Sequence, residues 1–85
     1  MIEQFFQTAD LYVGGFLLVK RIPYRGTHRT ESSRNVQFCF AHSEEITALV
    51  IDYENGAEAP VKEYGACVRF LLGELKKANR NGGVR

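Results

Sequence analysis

The segment Leu11–Val19 constrains the fold most, because it contains only apolar residues and glycine. A helix that has no polar face must be buried on every side, so the rest of the chain has to surround it. Thr8 is a suitable N-cap for this helix, and Asp10 would lie near its positive end in the first turn. These start signals favour a helix over the alternative, which is a strand through Tyr12–Ile22.

Gly14 and Gly15 interrupt this apolar run. Each glycine costs a helix about 1 kcal/mol relative to alanine, so two in succession need a reason. We expect them to mark the place where a second backbone segment comes close to the helix. The run is also too short to cross a bilayer, which takes about 20 residues.

The clearest strand signal is Asn35–Phe40, in which every second residue is apolar. Its inward-facing residues are expected to be Val36, Phe38 and Phe40. Arg21–Tyr24 is predicted to be the preceding strand of a hairpin, with Arg25–Arg34 as the loop. Met1–Gln7 is either an extended arm or an edge strand.

Two helices are predicted in the second half of the chain. Ser43 caps the first, which has an apolar stripe and ends at Asn55-Gly56. Pro60 begins the second, and its buried stripe consists of Val61, Tyr64, Val68, Leu71, Leu72 and Leu75. The sequence therefore predicts an α+β fold of the order (β)-α-β-β-α-α, with a small antiparallel sheet of two to three strands against three helices. Residues 1–80 would form one domain and residues 81–85 a flexible tail.

Four motifs occur in order along the chain: Phe6-Gln7-Thr8-Ala9-Asp10-Leu11-Tyr12, Phe16-Leu17-Leu18, Phe38-Cys39-Phe40 and Asp52-Tyr53-x-Asn55-Gly56. Together with the leucine-rich basic helix that follows, they resemble a family of short prokaryotic and phage domains that has no assigned function. The resemblance extends over roughly residues 5–75. It implies a small α+β module, often encoded on mobile elements, and no catalytic residue. The basic segment 25–34 and the paired glycines depart from the family pattern.

Enzyme motifs are missing from the sequence, which has no phosphate-binding loop, dinucleotide fingerprint or HExxH sequence. Cys39-x-x-His42 is half of a zinc motif, and the second half is missing. We therefore expect a protein that is not an enzyme and binds no metal or cofactor. Two distant cysteines and an opening that is not a secretory signal predict a soluble cytoplasmic protein without membrane association.

The 85-residue chain has a net charge of only +1, but its charges are sorted along the sequence. Residues 20–34 contain five basic side chains and one acidic one, and residues 61–85 contain six basic and two acidic ones. Residues 41–60 contain five acidic side chains and no lysine or arginine. This segregation indicates separate surfaces for anionic and cationic partners.

Lys62, Arg69 and Lys76 recur every seven residues in the last helix, and Arg80 follows four residues later. At about 100° per residue they form one stripe, with small residues between them. Small residues allow a phosphate backbone to come close, and the cations neutralise it. We therefore expect nucleic-acid binding through phosphate contacts by Arg25, Arg29, Arg34, Lys62, Arg69, Lys76 and Arg80. Tyr24 and Phe70 are the aromatic residues expected to be available for stacking on bases.

The alternative function is protein interaction or regulation, as in a phage- or mobile-element-type inhibitor or adaptor. The acidic helix and exposed apolar residues would then contact a protein partner. Ile51 and Phe70 lie off the buried stripes, and Phe70 would be covered either by the arm Met1–Phe6 or by a second copy of the chain. Because a chain this short buries little core, we expect a homodimer through Phe70 and Ile51.

Overall fold

The computed structural model describes residues 4–29 and 36–83, with the side chains of residues 80–83 outside the description. Strands and helices follow one another in the order β-α-β-β-α-α, which confirms the predicted α+β class. They are β1 (Phe5–Thr8), α1 (Leu11–Val19), β2 (Tyr24–His28), β3 (Gln37–Ala41), α2 (Glu44–Glu54) and α3 (Val61–Gly83). The predicted site residue Arg34 lies outside the described residues.

β3 is the central strand of an antiparallel sheet with the strand order β1-β3-β2. Phe6 of β1 lies opposite Phe40, and Thr27 of β2 lies opposite Phe38. Phe38 and Phe40 are fully buried and Val36 nearly so, which confirms the three inward-facing residues predicted for this segment, although Cys39 between them is buried as well. Phe5–Thr8 is therefore an edge strand of the sheet, whereas residues 1–3 of the predicted arm lie outside the described residues.

α1 and α3 lie side by side on one face of the sheet, with α1 in contact with β1 and α3 in contact with β2. α2 packs against α1. The core between these elements consists of Phe16, Leu17, Ile22, Phe38, Phe40, Ile46, Leu49 and Leu71. The opposite face of the sheet carries none of the described helices, and we call it the open face.

Gly14 and Gly15 bring α1 into direct contact with α3, as the sequence predicts. A Cβ atom added to Gly15 would lie 2.7 Å from Cγ2 of Val68 and 3.5 Å from its backbone nitrogen. One added to Gly14 would lie 2.7 Å from Cδ1 of the fully buried Leu71. Separations below 3.0 Å are essentially never found for real Cβ atoms, so this helix spacing requires glycine.

The predicted N-cap of α1, Thr8, is wrong. Asp10 is the N-cap, and its carboxylate accepts the N–H groups of Tyr12 and Val13 at 2.9 and 3.2 Å. Thr8 is the last residue of β1, where it pairs with Phe38. Its hydroxyl accepts the N–H of Asp10 at 3.1 Å and so stabilises the connection between strand and helix. Pairing in the sheet is the reason that Thr8 cannot cap the helix.

The predicted bounds of the first hairpin strand are also wrong. β2 begins at Tyr24, the last residue of the predicted strand, and continues into the predicted loop as far as His28. The pairing register shifts between Tyr24 and Gly26, which leaves Arg25 as an extra residue in a β-bulge. Gly26 has a φ of 100°, a conformation that other residues rarely adopt.

The end of α1 explains why β2 begins late. Arg21 has a φ of 67°, and its N–H donates to the carbonyl of Leu18. The N–H of Ile22 donates to the carbonyl of Leu17. These two bonds form a Schellman motif, in which the residue after the left-handed one is usually apolar. Since Ile22 is buried in the core, both residues complete the helix and cannot join a strand.

The apolar stripe of α2 is confirmed, whereas that of α3 is confirmed only in part. In α2, Ile46 and Leu49 are buried. In α3, Leu71 is buried, but Val61 is 86% exposed and Leu72 is 38% exposed. Val61 lies in the first turn, ahead of the contact with α1, and Leu72 lies about 100° around the helix from Leu71. The backbone of α3 remains helical through Gly83.

Candidate nucleic-acid interface

The outward face of α3 carries a basic strip, which we define as Lys62, Ala66, Arg69, Gly73 and Lys76 and call the α3 strip. All five residues are exposed. By helical geometry they lie on the side opposite the buried Leu71, and successive cations are about 10 Å apart along the axis. The small residues between them leave the helix backbone accessible, so an extended polyanion can contact all three cations.

Glu74 follows Gly73 in sequence, but its carboxylate is bound by groups outside the α3 strip. One carboxylate oxygen accepts the hydroxyl of Tyr24 at 3.0 Å, and the other lies 3.4 Å from Nζ of Lys77. Burial and then the bond to Glu74 raise the pKa of Tyr24, so the phenol remains protonated and donates at neutral pH. These contacts offset the negative charge of Glu74.

Arg29 connects the end of β2 to the same helix. Its Nη2 donates to Oδ1 of Asn79 at 2.8 Å. This bond brings a predicted loop cation beside the last turns of α3, one turn beyond Lys76. The backbone of Arg80 continues the helix after Asn79, and its side chain is outside the description.

Arg25 lies away from the α3 strip, on the other face of the sheet. It lines a shallow depression of about 340 Å³, together with Phe5, Gln7, Thr27, His28 and Cys39. Because side chains alternate along β3, Cys39 faces the side opposite Phe38 and Phe40, which is the open face. The predicted cations whose side chains the structure describes therefore do not form one patch but lie on two surfaces that β2 connects.

Two residues of the open face, Phe5 and His28, were not predicted from the sequence. Phe5 is 48% exposed, although it belongs to an apolar segment, and His28 is exposed at the end of β2. The sequence contains a signal for an outward-facing aromatic residue here, because adjacent residues of a strand face opposite sides of the sheet. If Phe5–Thr8 is a strand, only one of Phe5 and Phe6 can face the core.

Tyr24 is enclosed by other rings, which removes it from the stacking residues that the sequence suggests. Its ring centroid lies 5.4 Å from that of Phe40 and 5.6 Å from that of Phe70. Together with the bond to Glu74, these contacts attach α3 to the sheet. Tyr24 is therefore a structural residue.

Phe70 and Ile51, the predicted interface residues, are each about half exposed, at 50% and 53%. The ring of Phe70 contacts Tyr24 edge-on. Residues 4–6 of the N-terminal segment lie in or next to β1, at the sheet edge remote from β2, so the described contact of Phe70 is with β2 rather than with the arm. Both residues retain apolar surface for a contact outside the chain.

A larger groove of about 670 Å³ lies between α1, the end of α2 and the start of α3. It is lined by Phe16, Tyr53, Gly56, Ala57, Glu58, Ala59, Val61 and Tyr64. The hydroxyl of Tyr64 donates to the carbonyl of Tyr12 at 3.0 Å and joins α3 to α1. The wall of this groove includes part of the acidic segment 41–60, through Glu58.

Cys39 and Cys67 are free thiols. Burial raises the pKa of both, and Glu63 adds to the increase at Cys67. This shift is opposite to the one that activates a cysteine as a nucleophile. Within residues 4–29 and 36–83, no three His, Cys, Asp or Glu side chains are grouped closely enough to hold a metal ion.

Comparisons with family models, curated proteins and solved structures give no match to this chain. No described helix combines the length and the apolar character that crossing a membrane requires. The surfaces described above are therefore the basis for a proposal about function.

Replacing Tyr24 by phenylalanine tests the attachment of α3 to the sheet. Because the pKa of Tyr24 is raised above its usual value of 10, the folded protein binds this proton more tightly than the unfolded chain does. The resulting stabilisation is complete below pH 10 and is lost as the pH rises above it. We expect Tyr24→Phe to lose less stability than the native protein between about pH 8 and about pH 11.

Urea unfolding at the two pH values measures this difference. Tyr12→Phe, which removes an exposed hydroxyl, is the control and should follow the native protein. If Tyr24→Phe shows the same alkaline loss as the native protein, burial and the bond to Glu74 do not raise the pKa of Tyr24 in the folded protein.

Proposed function

We propose that this protein binds nucleic acid through the phosphate backbone. The observation that carries the proposal is the α3 strip, where three cations lie one above another with only small exposed residues between them. A basic stripe on one helix is common on protein surfaces. Here Arg29 adds a further cation at the end of the same helix, through its bond to Asn79.

Such an interface binds by releasing counterions, so affinity falls steeply with salt and depends little on base sequence. The net charge of +1 means that the protein as a whole has little attraction for a polyanion. Binding would depend on local charge and would orient the molecule, with the acidic α2 directed away from the phosphates.

Neutralising two cations of the strip tests this proposal. The double variant Arg69→Gln, Lys76→Gln should weaken binding to all sequences by a similar factor and lower the salt slope by about 1 for each lost phosphate contact. Fluorescence anisotropy of a labelled oligonucleotide across a salt series measures both quantities.

The matched control is Thr47→Glu, Ala48→Glu, which lowers the net charge equally at two exposed positions of α2. It should bind like the native protein if the location of the charge matters. The proposal is contradicted if the native protein binds no oligonucleotide even near 50 mM salt, or if both double variants lose the same affinity.

A second candidate function is the binding of a basic protein partner, and the 670 Å³ groove favours it. The groove has aromatic walls, the highly exposed Val61 at its edge and the acidic segment beside it. A partner that the native protein retains after nuclease treatment, and that Val61→Glu loses, would support this function over nucleic-acid binding.

We further propose that the chain forms a homodimer through Phe70, with Ile51 as a second contact. Sedimentation at about 100 µM should show a dimer for the native protein and a monomer for Phe70→Glu, because an apolar contact does not tolerate a buried unpaired charge. Ile51→Glu tests the second contact in the same way. A native monomer at this concentration removes the proposal, as does a folded Phe70→Glu with unchanged mass.

A further inference from the structure

The open face of the sheet has the features of a small binding platform. Phe5 of β1 exposes nearly half its surface at one side of the 340 Å³ depression, and Arg25 and His28 of β2 lie at the other. Cys39 of the central strand lies between them and is buried at the floor. An exposed ring thus faces the same depression as two nitrogen-rich side chains.

Among the residues that the structure describes, the titratable nitrogen-bearing side chains that line this depression are basic. Its described lining contains an arginine and a histidine but no aspartate or glutamate. The β-bulge adds Arg25 to β2 as an extra residue between Tyr24, which pairs with Phe40, and Gly26, which pairs with Cys39. Bulges often redirect a side chain at a functional site, and the surplus residue here is the cation.

We propose that this face binds an unpaired nucleobase, which stacks on Phe5 while Arg25 and His28 contact the adjoining phosphate. The inference rests on the proposed function and deepens it, because it assigns the ligand as single-stranded nucleic acid. A base within a duplex is already stacked on both faces, whereas an unpaired base can stack on an aromatic side chain. A described lining that contains arginine and histidine suits a phosphate.

β2 connects this face to the α3 strip. Arg25 and His28 line the open face, and the next residue, Arg29, bonds to Asn79 of α3. A nucleic-acid strand bound at Phe5 would therefore extend out of the depression beside the basic C-terminal end of α3. One nucleic-acid chain would contact both surfaces.

A tryptophan in place of Phe5 tests the proposal directly, because the native chain contains no tryptophan. The indole of Phe5→Trp should be quenched by an oligothymidylate of about 12 nucleotides. An abasic sugar–phosphate oligomer of equal length supplies the phosphates without the bases and should not quench it. Tyr12→Trp, at an exposed position on α1, is the control and should respond to neither oligomer.

Phe5→Leu is a second variant, which keeps an apolar side chain in β1 but has no aromatic face. Its affinity for oligothymidylate should fall roughly five- to a hundredfold, while its affinity for a duplex stays unchanged. Circular dichroism verifies that each variant is folded.

The outcomes separate this inference from the proposed function. If labelled oligothymidylate binds but the Phe5→Trp indole does not change, or if Phe5→Leu binds it as the native protein does, the sheet-face site is wrong and phosphate binding by α3 stands. If the native protein binds the abasic and thymidylate oligomers with equal affinity, the sheet-face site is likewise wrong. If no oligomer binds near 50 mM salt, both proposals are wrong.

Discussion

The rest of the structure depends on the contact between α1 and α3 at Gly15. The nine-residue apolar helix is covered by the rest of the chain on most sides, with Phe16 and Leu17 buried and Tyr12 left exposed. A side chain at position 15 would separate this helix from α3. With glycine there, Val68 and Leu71 pack directly on α1, and Phe38 and Phe40 cover it from the sheet. The helix propensity lost at two glycines is the cost of bringing the layers together.

This contact also determines which surfaces remain for binding. Because Leu71 faces α1, helical periodicity turns Lys62, Arg69 and Lys76 to the outside. Because both helices lie on the same side of β3, the opposite side of the sheet stays open, with Phe5 and Arg25 around its depression. The two proposed nucleic-acid surfaces thus follow from one packing arrangement, and β2 links them through Arg29.

Much of this fold could be predicted from local patterns, and the exceptions have physical reasons. The apolar alternation in β3 and the paired glycines of α1 can each be recognised within one short segment of the sequence, because they reflect how that segment packs. The start of β2 could not be predicted, because the Schellman motif uses Arg21 and Ile22, residues that otherwise look like the beginning of a strand. The cations of α3 were visible in their spacing, whereas the site at Phe5 depends on which face of the sheet the helices cover. Only the tertiary structure gives that information.

The most direct test of this account compares the stability of two alanine variants by urea unfolding. Gly15→Ala would gain up to about 1 kcal/mol of helix propensity, but overpacking against the stiff side chain of Val68 costs about 1–3 kcal/mol. With the full gain in propensity, we expect a net loss of up to about 2 kcal/mol for this variant. Gly73→Ala, which has no atom within 4 Å of its added Cβ, should instead gain about 0.5–1 kcal/mol. A Gly15→Ala protein that is stabilised as much as Gly73→Ala would contradict the requirement for glycine at position 15.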